Sequence, residues 1–372
     1  MPNLKLFLHI KNLLTTIHEE ESPLLDTLAM MVTGLFFGRH VQLWAIALWS
    51  HRDIQLLSIV RQFERFVADD RVDVRAIFEP FVWAMHASLG QEIAYLIIDC
   101  TKVGPKCRVI VVGLVYHGTI LPICWKTIEG KKGHVKGEKQ QALLAQVLPY
   151  FQHHHRVVVL GDAEFSNEPV INWLRRVGWD FVFRFQSRYQ LQLTENDQWQ
   201  SAKTIYQEAG LQAGDVHHWQ PLAYTEIHKI PGLTFTVHWD ENETDPLCLI
   251  STLSIDEEPH IIYQMRFWIE TLFGQEKSRG FALQRTLMTT PEHIDRLLLA
   301  VSIASCLILG LGTHLIIIKQ TKQVDRSDRR DLSLFQLGWR YLFRLLALDR
   351  LSEVKVRFSW QFQLPPPGFQ RG

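Results

Sequence analysis

The sequence predicts an α/β protein: a mixed-sheet core, interrupted by a β-rich insertion and preceded by a helical segment. Three observations support this fold class. Residues 1–90 show the apolar periodicity of helices, residues 91–185 alternate β-rich runs with helices, and residues 186–258 consist of short alternating runs between acidic turns. At 372 residues, with 47% hydrophobic and 21% charged residues, the chain can bury the core of two or three domains.

The first 90 residues are expected to form a compact helical module, with helices at residues 24–37, 41–49 and 57–66. Residues 41–66 fit a helix-turn-helix in which basic side chains are available for DNA phosphates. These side chains are His51, Arg52, Arg61 and Arg65. A plain helical bundle with a solvated basic face fits the same residues at least as well.

The next segment predicts three hairpin-linked strands, a helix, a fourth strand, a second helix and a fifth strand. The runs lie at residues 94–100, 107–115, 119–126, 140–151, 156–161, 168–177 and 179–185. This β-β-β-α-β-α-β order, with a mixed sheet and flanking helices, matches the ribonuclease H architecture more closely than a doubly wound fold.

Two aspartates stand out by their position. Asp99 comes near the end of the first predicted strand, and Asp162 directly follows the fourth. A carboxylate held against a buried strand is costly unless it is paired or bound to a metal, which favours a functional role. Each aspartate could equally cap the turn that follows it. If the two strands are neighbours in the sheet, the side chains can converge.

The stretch from Tyr263 to Lys277 predicts a helix with one polar face. Tyr263, Arg266, Glu270 and Lys277 recur at offsets of three, four and seven residues, which share a face at 3.6 residues per turn. The rest of the helix is apolar, and we expect it to be buried: Met265, Phe267, Trp268, Ile269, Leu272 and Phe273. Taken alone, an ordinary amphipathic helix with an Arg–Glu pair explains the spacing equally well.

Glu270 would supply a third carboxylate beside Asp99 and Asp162. Three acidic side chains at one edge of a sheet can hold two divalent cations about 3.5 to 4 Å apart, an arrangement that suits phosphoryl transfer. Oxygen ligands, without a histidine or cysteine cluster in these motifs, favour Mg²⁺ or Mn²⁺ over zinc.

Charge is unevenly distributed, although the formal net charge is zero. Residues 186–260 hold twelve Asp and Glu against three Lys and Arg, whereas residues 322–371 hold ten Lys and Arg against five Asp and Glu. An acidic segment in an otherwise basic chain is typical of a polyanion-binding body that carries a non-binding insertion.

The remaining composition indicates a cytoplasmic protein. The N-terminus lacks a signal-peptide pattern, and the five cysteines show no disulfide-like spacing and are expected to be reduced: Cys100, Cys107, Cys124, Cys248 and Cys306. Residues 297–318 run 22 residues without a charged side chain, which is long enough to span a bilayer. Their Ser, Gly, Thr and His residues favour a core helix, so no membrane partner is expected.

These motifs resemble those of the DDE transposases of bacterial insertion sequences, in particular the family named for insertion sequence four. The resemblance rests on the pattern Y-x-x-R-x-x-x-E-x-x-x-x-x-x-K from Tyr263 to Lys277, on D-x-T at Asp99, and on G-D-A-E-F around Asp162. The later K-S-R-G-F and L-F-Q-L-G-W-R extend it, so that it covers about residues 20–350.

The resemblance implies a catalytic triad that binds Mg²⁺, namely Asp99, Asp162 and Glu270. It implies a second set of residues that contact DNA phosphates near the cut, namely Tyr263, Arg266 and Lys277. It further implies a ribonuclease H core and cut-and-paste transposition through nicking, strand transfer that forms a hairpin, and hairpin opening. The active species would be a homodimer that pairs two transposon ends.

One position departs from the family. Relatives often carry a tryptophan in the insertion that stabilises the flipped base during hairpin formation, and here Leu247 holds that place. Trp219 or Trp239 could substitute, whereas Trp268, next to the triad, is expected in the core. The hairpin step therefore stays open.

Other candidates are weaker. A tract of three histidines, residues 153–155, precedes a strand and is better explained as a solvated turn than as a metal site. Four lysines form a basic loop that could touch the DNA backbone or could simply be solvated: Lys131, Lys132, Lys136 and Lys139.

The sequence thus predicts five parts. They are a helical DNA-end-binding domain (1–90), the first part of a ribonuclease H-like core (91–185), an acidic β-rich insertion (186–258), the completion of the core with the Glu270 helix (259–320) and a C-terminal helical, basic region (321–372). The predicted function is that of an insertion-sequence transposase that binds terminal inverted repeats in double-stranded DNA and cuts and joins strands with Mg²⁺. The alternative is a transposase-derived DNA-binding protein without catalytic activity.

Overall fold

The computed structural model describes residues 1–89, 93–130, 133–152 and 156–362 of the chain. The first of these ranges contains five helices: α1 (Pro2–His18), α2 (Pro23–Gly38), α3 (Leu43–Ala47), α4 (Leu56–Ala68) and α5 (Val74–Leu89). The helices predicted at residues 24–37 and 57–66 match α2 and α4. The first helix of the suggested helix-turn-helix, α3, is a single short turn of five residues.

The α/β segment follows the predicted order. Its elements are β1 (Ala94–Val103), β2 (Cys107–Tyr116), β3 (Thr119–Glu129), α6 (Gly137–Phe151), β4 (Val157–Gly161), α7 (Glu168–Val177) and β5 (Asp180–Arg184). Helix α7 has clear end signals: the Asn167 side chain accepts a hydrogen bond from the Val170 N–H, and Gly178 ends the helix at φ 74°.

Residues 186–258, the predicted insertion, are β-rich. The insertion contains β6 (Gln190–Gln192), β7 (Gln200–Ser201), α8 (Ala202–Glu208), β8 (Val216–Tyr224), β9 (Ile230–His238) and β10 (Leu247–Ser251). It does not form a sheet of its own. Strand β10 pairs antiparallel with β5, with Ile250 opposite Phe183, so the insertion extends the sheet of the core.

The described residues form one mixed sheet of ten strands, in the order β3-β2-β1-β4-β5-β10-β9-β8-β6-β7. Strands β1, β2 and β3 are antiparallel hairpin neighbours, whereas β1, β4 and β5 run parallel. Strand β4 and the centre of β5 (residues 181–183) are apolar and buried, as expected of strands covered on both faces.

In the described part of the chain four α-helices follow the insertion: α9 (Pro259–Tyr263), α10 (Ile269–Glu276), α11 (Pro291–Ile317) and α12 (Leu334–Ala347). Helix α11 is central to the core, because it packs against β3 and against α2, α4, α5 and α12. It is long and apolar enough to cross a membrane, but 94% of its most apolar stretch is buried inside the protein. This burial supports the predicted core helix.

The C-terminal region is helical only in part. After α12 and a short turn, residues 354–362 run in irregular, non-helical backbone across the tip of the β2–β3 hairpin. There Phe358 and Trp360 contact the ring of Tyr116, and the Ser359 N–H donates to the Tyr116 hydroxyl. An aromatic strap, residues 354–362, therefore forms part of a region that was expected to be helical.

Helices α11 and α12 cross in direct backbone contact at Gly338. A β-carbon at this position would overlap the carbonyl oxygen of Ile308 and would lie 2.9 Å from the backbone nitrogen of Gly312. Since both neighbours are backbone atoms, neither can move without separating the two helices.

We therefore expect Gly338→Ala to lower the free energy of unfolding by about 3 kcal/mol, the upper part of the usual cost of overpacking. Urea denaturation followed by circular dichroism measures this change. Gly274→Ala in α10 is the matched control, because the three atoms nearest to its new β-carbon belong to the guanidinium of the exposed Arg279 and not to backbone. Equal stability of the two variants would contradict the close crossing.

Candidate active site

Strands β1 and β4 bring Asp99 and Asp162 to one place. Their parallel pairing ends at Ile98 opposite Gly161, so each aspartate directly follows the last paired residue of its strand. Asp99 was expected near the end of its strand, but β1 continues to Val103 because its hairpin with β2 is longer than its pairing with β4. Both side chains also bind local backbone: Asp99 accepts from the Cys100 N–H, and Asp162 from the Glu164 N–H.

The segment that carries Glu270 is helical but not one regular α-helix. Helix α9 ends at Tyr263, a tighter 3₁₀ segment covers Gln264–Trp268, and α10 then runs from Ile269 to Glu276. A stretch of 3₁₀ geometry within a helix often marks a functional position. Arg266 lies within this stretch, and Lys277 follows the last residue of α10.

Arg266 contacts all three predicted catalytic carboxylates. Its Nη2 lies 3.0 Å from Oδ2 of Asp99 and 3.8 Å from Oδ2 of Asp162, and its Nη1 lies 3.8 Å from Oε1 of Glu270. The structure therefore brings the three acidic side chains to one guanidinium. A planar group with several fixed donors is well suited to join them.

The three carboxylates differ in their exposure. The Asp99 side chain is buried, the Asp162 side chain is partly exposed, and the Glu270 side chain is 66% exposed. Burial raises the pKa of Asp99 to about 6, although the Arg266 charge and the Cys100 N–H act in the opposite direction. Asp99 is therefore a buried acid whose ionised form is incompletely compensated.

The donor chemistry fits a divalent cation. In the described part of the chain, no group of three or more His, Cys, Asp or Glu side chains is arranged to hold a metal ion. The Arg266 guanidinium contacts the three carboxylates instead. These carboxylates offer hard oxygen atoms, and two of them reach solvent. A cation bound there would compensate the charge of Asp99, which burial leaves unfavourable.

Lys277 contacts β1, the strand that carries Asp99. Its ammonium group donates a hydrogen bond to the Thr101 hydroxyl, two residues beyond Asp99 on β1. Burial lowers the pKa of Lys277, although the nearby charges of Glu276 and Asp99 act in the opposite direction. Tyr263 is almost fully buried, and that burial raises the pKa of its hydroxyl to about 12.

Two features beside the site were not predicted from the sequence: the exposure of Phe267 and the buried Glu276. Phe267 was expected to be buried, but it is 50% exposed and its ring lies 5.6 Å from the Arg266 guanidinium carbon. Its place in the 3₁₀ segment turns it away from the core, and no apolar pattern could signal this. Glu276 is fully buried behind the site, and burial raises its pKa to about 8. On a helix Glu276 shares a face with the apolar Leu272 and Phe273, which was the available signal.

The three candidate tryptophans make contacts outside the group of carboxylates. Trp268 is partly buried and packs against the core, as expected. Within the insertion, Trp219 stacks on Phe235 at 4.9 Å, and the Trp239 ring nitrogen donates to the Glu243 carbonyl. Residues 153–155, Lys131 and Lys132 lie outside the described residues.

Comparison with known proteins identifies the family. The family described as "Transposase DDE domain" matches residues 96–307, which is more than half of the chain and includes all three carboxylates. The chain therefore belongs to the transposase DDE domain family. It is also similar to the cryo-EM structure of a piggyBac transposase synaptic complex with hairpin DNA, at 12% sequence identity and a TM-score of 0.44, over 94% of this chain and 79% of that chain. No curated protein matches the chain.

Proposed function

We propose that this chain is the transposase of a bacterial insertion sequence, of the family named for insertion sequence four, and that it cleaves and transfers DNA strands at the ends of its element. One observation carries the proposal: in a member of the transposase DDE domain family, a single guanidinium contacts Asp99, Asp162 and Glu270. Acidic side chains from two parallel strands and a helix converge there, as phosphoryl transfer with divalent cations requires.

The proposal includes a ribonuclease H-like core. The strand order β3-β2-β1-β4-β5, with three antiparallel strands followed by two parallel ones, supports this assignment. In this proposal the core comprises residues 91–185 and 259–320, interrupted by the insertion at residues 186–258. Residues 1–90 are the proposed DNA-end-binding domain, and residues 321–372 complete the chain.

The proposed cofactor is Mg²⁺ or Mn²⁺, with two ions held by Asp99, Asp162 and Glu270. When bound, the ions supply activation of the attacking oxygen and stabilisation of the leaving oxygen. Arg266, Lys277 and Tyr263 are proposed to act on the phosphates of the DNA near the cut. Arg266 can pair with the carboxylates in the free protein and with a DNA phosphate in the complex, because a guanidinium binds both kinds of anion.

The partners in this proposal are double-stranded DNA and a second copy of the chain, in a cytoplasmic complex of two element ends. The hairpin step is left out of the proposal, because Leu247 stands where relatives often have tryptophan and both Trp219 and Trp239 are engaged inside the insertion.

The test uses the purified full chain and a duplex that carries the inverted repeats found beside its gene. We expect strand cleavage at the repeat ends with Mg²⁺ or Mn²⁺ and none with EDTA, because the chemistry needs the cation. Denaturing gels of end-labelled strands show the products. Repeat binding without any cleavage under these conditions would replace the proposal with the alternative of a catalytically inactive DNA-binding protein.

A further inference from the structure

The chain that follows α10 is strongly basic. Residues 277–291 contain Lys277, Arg279 and Arg285 and no Asp or Glu. The preceding acid, Glu276, is fully buried, and burial raises its pKa to about 8, so that it adds little negative charge near neutral pH. This segment therefore presents positive charge directly beyond the catalytic helix.

Arg279 folds back onto the same helix. Its N–H donates to the carbonyl of Gly274, and its guanidinium carbon lies 2.7 Å from the place where a β-carbon of Gly274 would stand. Glu270 and Gly274 are four residues apart on α10 and share a helix face. The Arg279 guanidinium therefore packs on α10 at the position of Gly274, about one helical turn after Glu270.

Arg279 is exposed and has no carboxylate within salt-bridge distance among the residues that the structure describes. The backbone carbonyl oxygen of Arg279 accepts a hydrogen bond from Nη2 of Arg39 at 3.2 Å. A guanidinium beside a catalytic carboxylate, exposed and without an acidic partner, offers its full set of donors to an anionic ligand.

Arg39 connects this segment to the N-terminal helices. It ends α2 in the left-handed region at φ 50°, a position that favours glycine, and its guanidinium lies 4.9 Å from the ring centre of Trp339. Its contacts with the Arg279 carbonyl and the Trp339 ring hold the exposed Arg39 side chain between the segment after α10 and the N-terminal helices. Burial lowers the pKa of the neighbouring His40, and the positive charge of Arg285 lowers it further. Arg285 therefore lies near His40.

We infer that Arg279, Arg39 and Arg285 form a path for one DNA strand, which leads from the three carboxylates to the N-terminal helices, and that Gly274 is small so that Arg279 can lie beside Glu270. This inference rests on the proposed function and adds the course of the DNA beyond the cut. Contacts of this kind bind phosphates and are independent of base sequence.

The test measures binding of the full chain to a fluorescein-labelled 30-base-pair duplex of random sequence, in EDTA, by anisotropy across a salt series. Loss of one phosphate contact reduces the slope of log K against log salt by about 0.9. We expect this reduction for Arg279→Ala and also for Gly274→Ala, which should displace the guanidinium without lowering the melting temperature. The matched control is Arg176→Ala, because Arg176 is an exposed arginine at the far end of α7 from Asp162.

The outcomes separate this inference from the proposed function. Salt slopes for Arg279→Ala and Gly274→Ala equal to that of Arg176→Ala would overturn the inferred path, even if the wild-type chain cleaves DNA. A normal slope for Gly274→Ala alone would overturn the role of that glycine. Reduced slopes in a chain that never cleaves its repeat ends would support the path and reject the catalytic proposal.

Discussion

Replacing Glu270 with glutamine should reduce Mg²⁺-dependent DNA cleavage by at least about 10³-fold, the scale on which removal of a catalytic group acts. Glutamine keeps the size of the side chain but removes the negative charge that a divalent cation requires. The Glu270 side chain is 66% exposed, and its ionic contact to Arg266 is long, at 3.8 Å. The fold and the binding of DNA should therefore change little.

Cleavage rates on end-labelled duplex, together with anisotropy binding and a melting temperature, test this expectation. Glu241→Gln is the matched control, since Glu241 is an exposed glutamate in the insertion, outside the three carboxylates. Equal cleavage by Glu270→Gln and the wild-type chain would reject the catalytic assignment. Loss of DNA binding together with cleavage would instead show that Glu270 supports the fold or the DNA contact.

The order of elements in the core was predictable because its signals are local. Strand β4 is an unbroken apolar run, and α7 has an asparagine before it and a glycine after it, so its predicted and observed limits agree. The convergence of Asp99 and Asp162 also followed from local reasoning, given that their strands are neighbours. It required only that both residues follow the paired part of a strand.

The attachment of the insertion and the position of Arg266 could not be predicted in this way. The pairing of β10 with β5 joins segments about 65 residues apart, and strand propensity carries no information on which edge a strand will join. The Arg–Glu spacing predicted only the contact between Arg266 and Glu270. The shorter contact with Asp99 spans 167 residues and depends on the 3₁₀ segment that carries Arg266.

Asp99→Asn should stabilise the metal-free protein at neutral pH while it abolishes cleavage. Burial raises the pKa of Asp99 from 3.8 to about 6, so the unfolded chain loses this proton at lower pH than the folded chain. The free energy of unfolding therefore falls as the pH rises from about 4 to about 6 and stays lower above that range. A pKa raised from 3.8 to about 6 corresponds to about 3 kcal/mol, which is the largest gain in the free energy of unfolding that asparagine could give at pH 7.5.

Urea denaturation in EDTA at several pH values between 4 and 8 measures this effect. The variant should lack the fall between about pH 4 and pH 6, and Arg266 should keep its contacts with Asp162 and Glu270. Added Mg²⁺ should raise the melting temperature of the wild-type chain more than that of the variant, because a cation that binds only the folded state stabilises it. Asp256→Asn, at an exposed aspartate, should leave the pH dependence unchanged. If the free energy of unfolding of Asp99→Asn falls between about pH 4 and pH 6 as it does in the wild-type chain, Asp99 is not a buried acid that opposes folding. The proposed catalytic carboxylate would then carry no cost in stability.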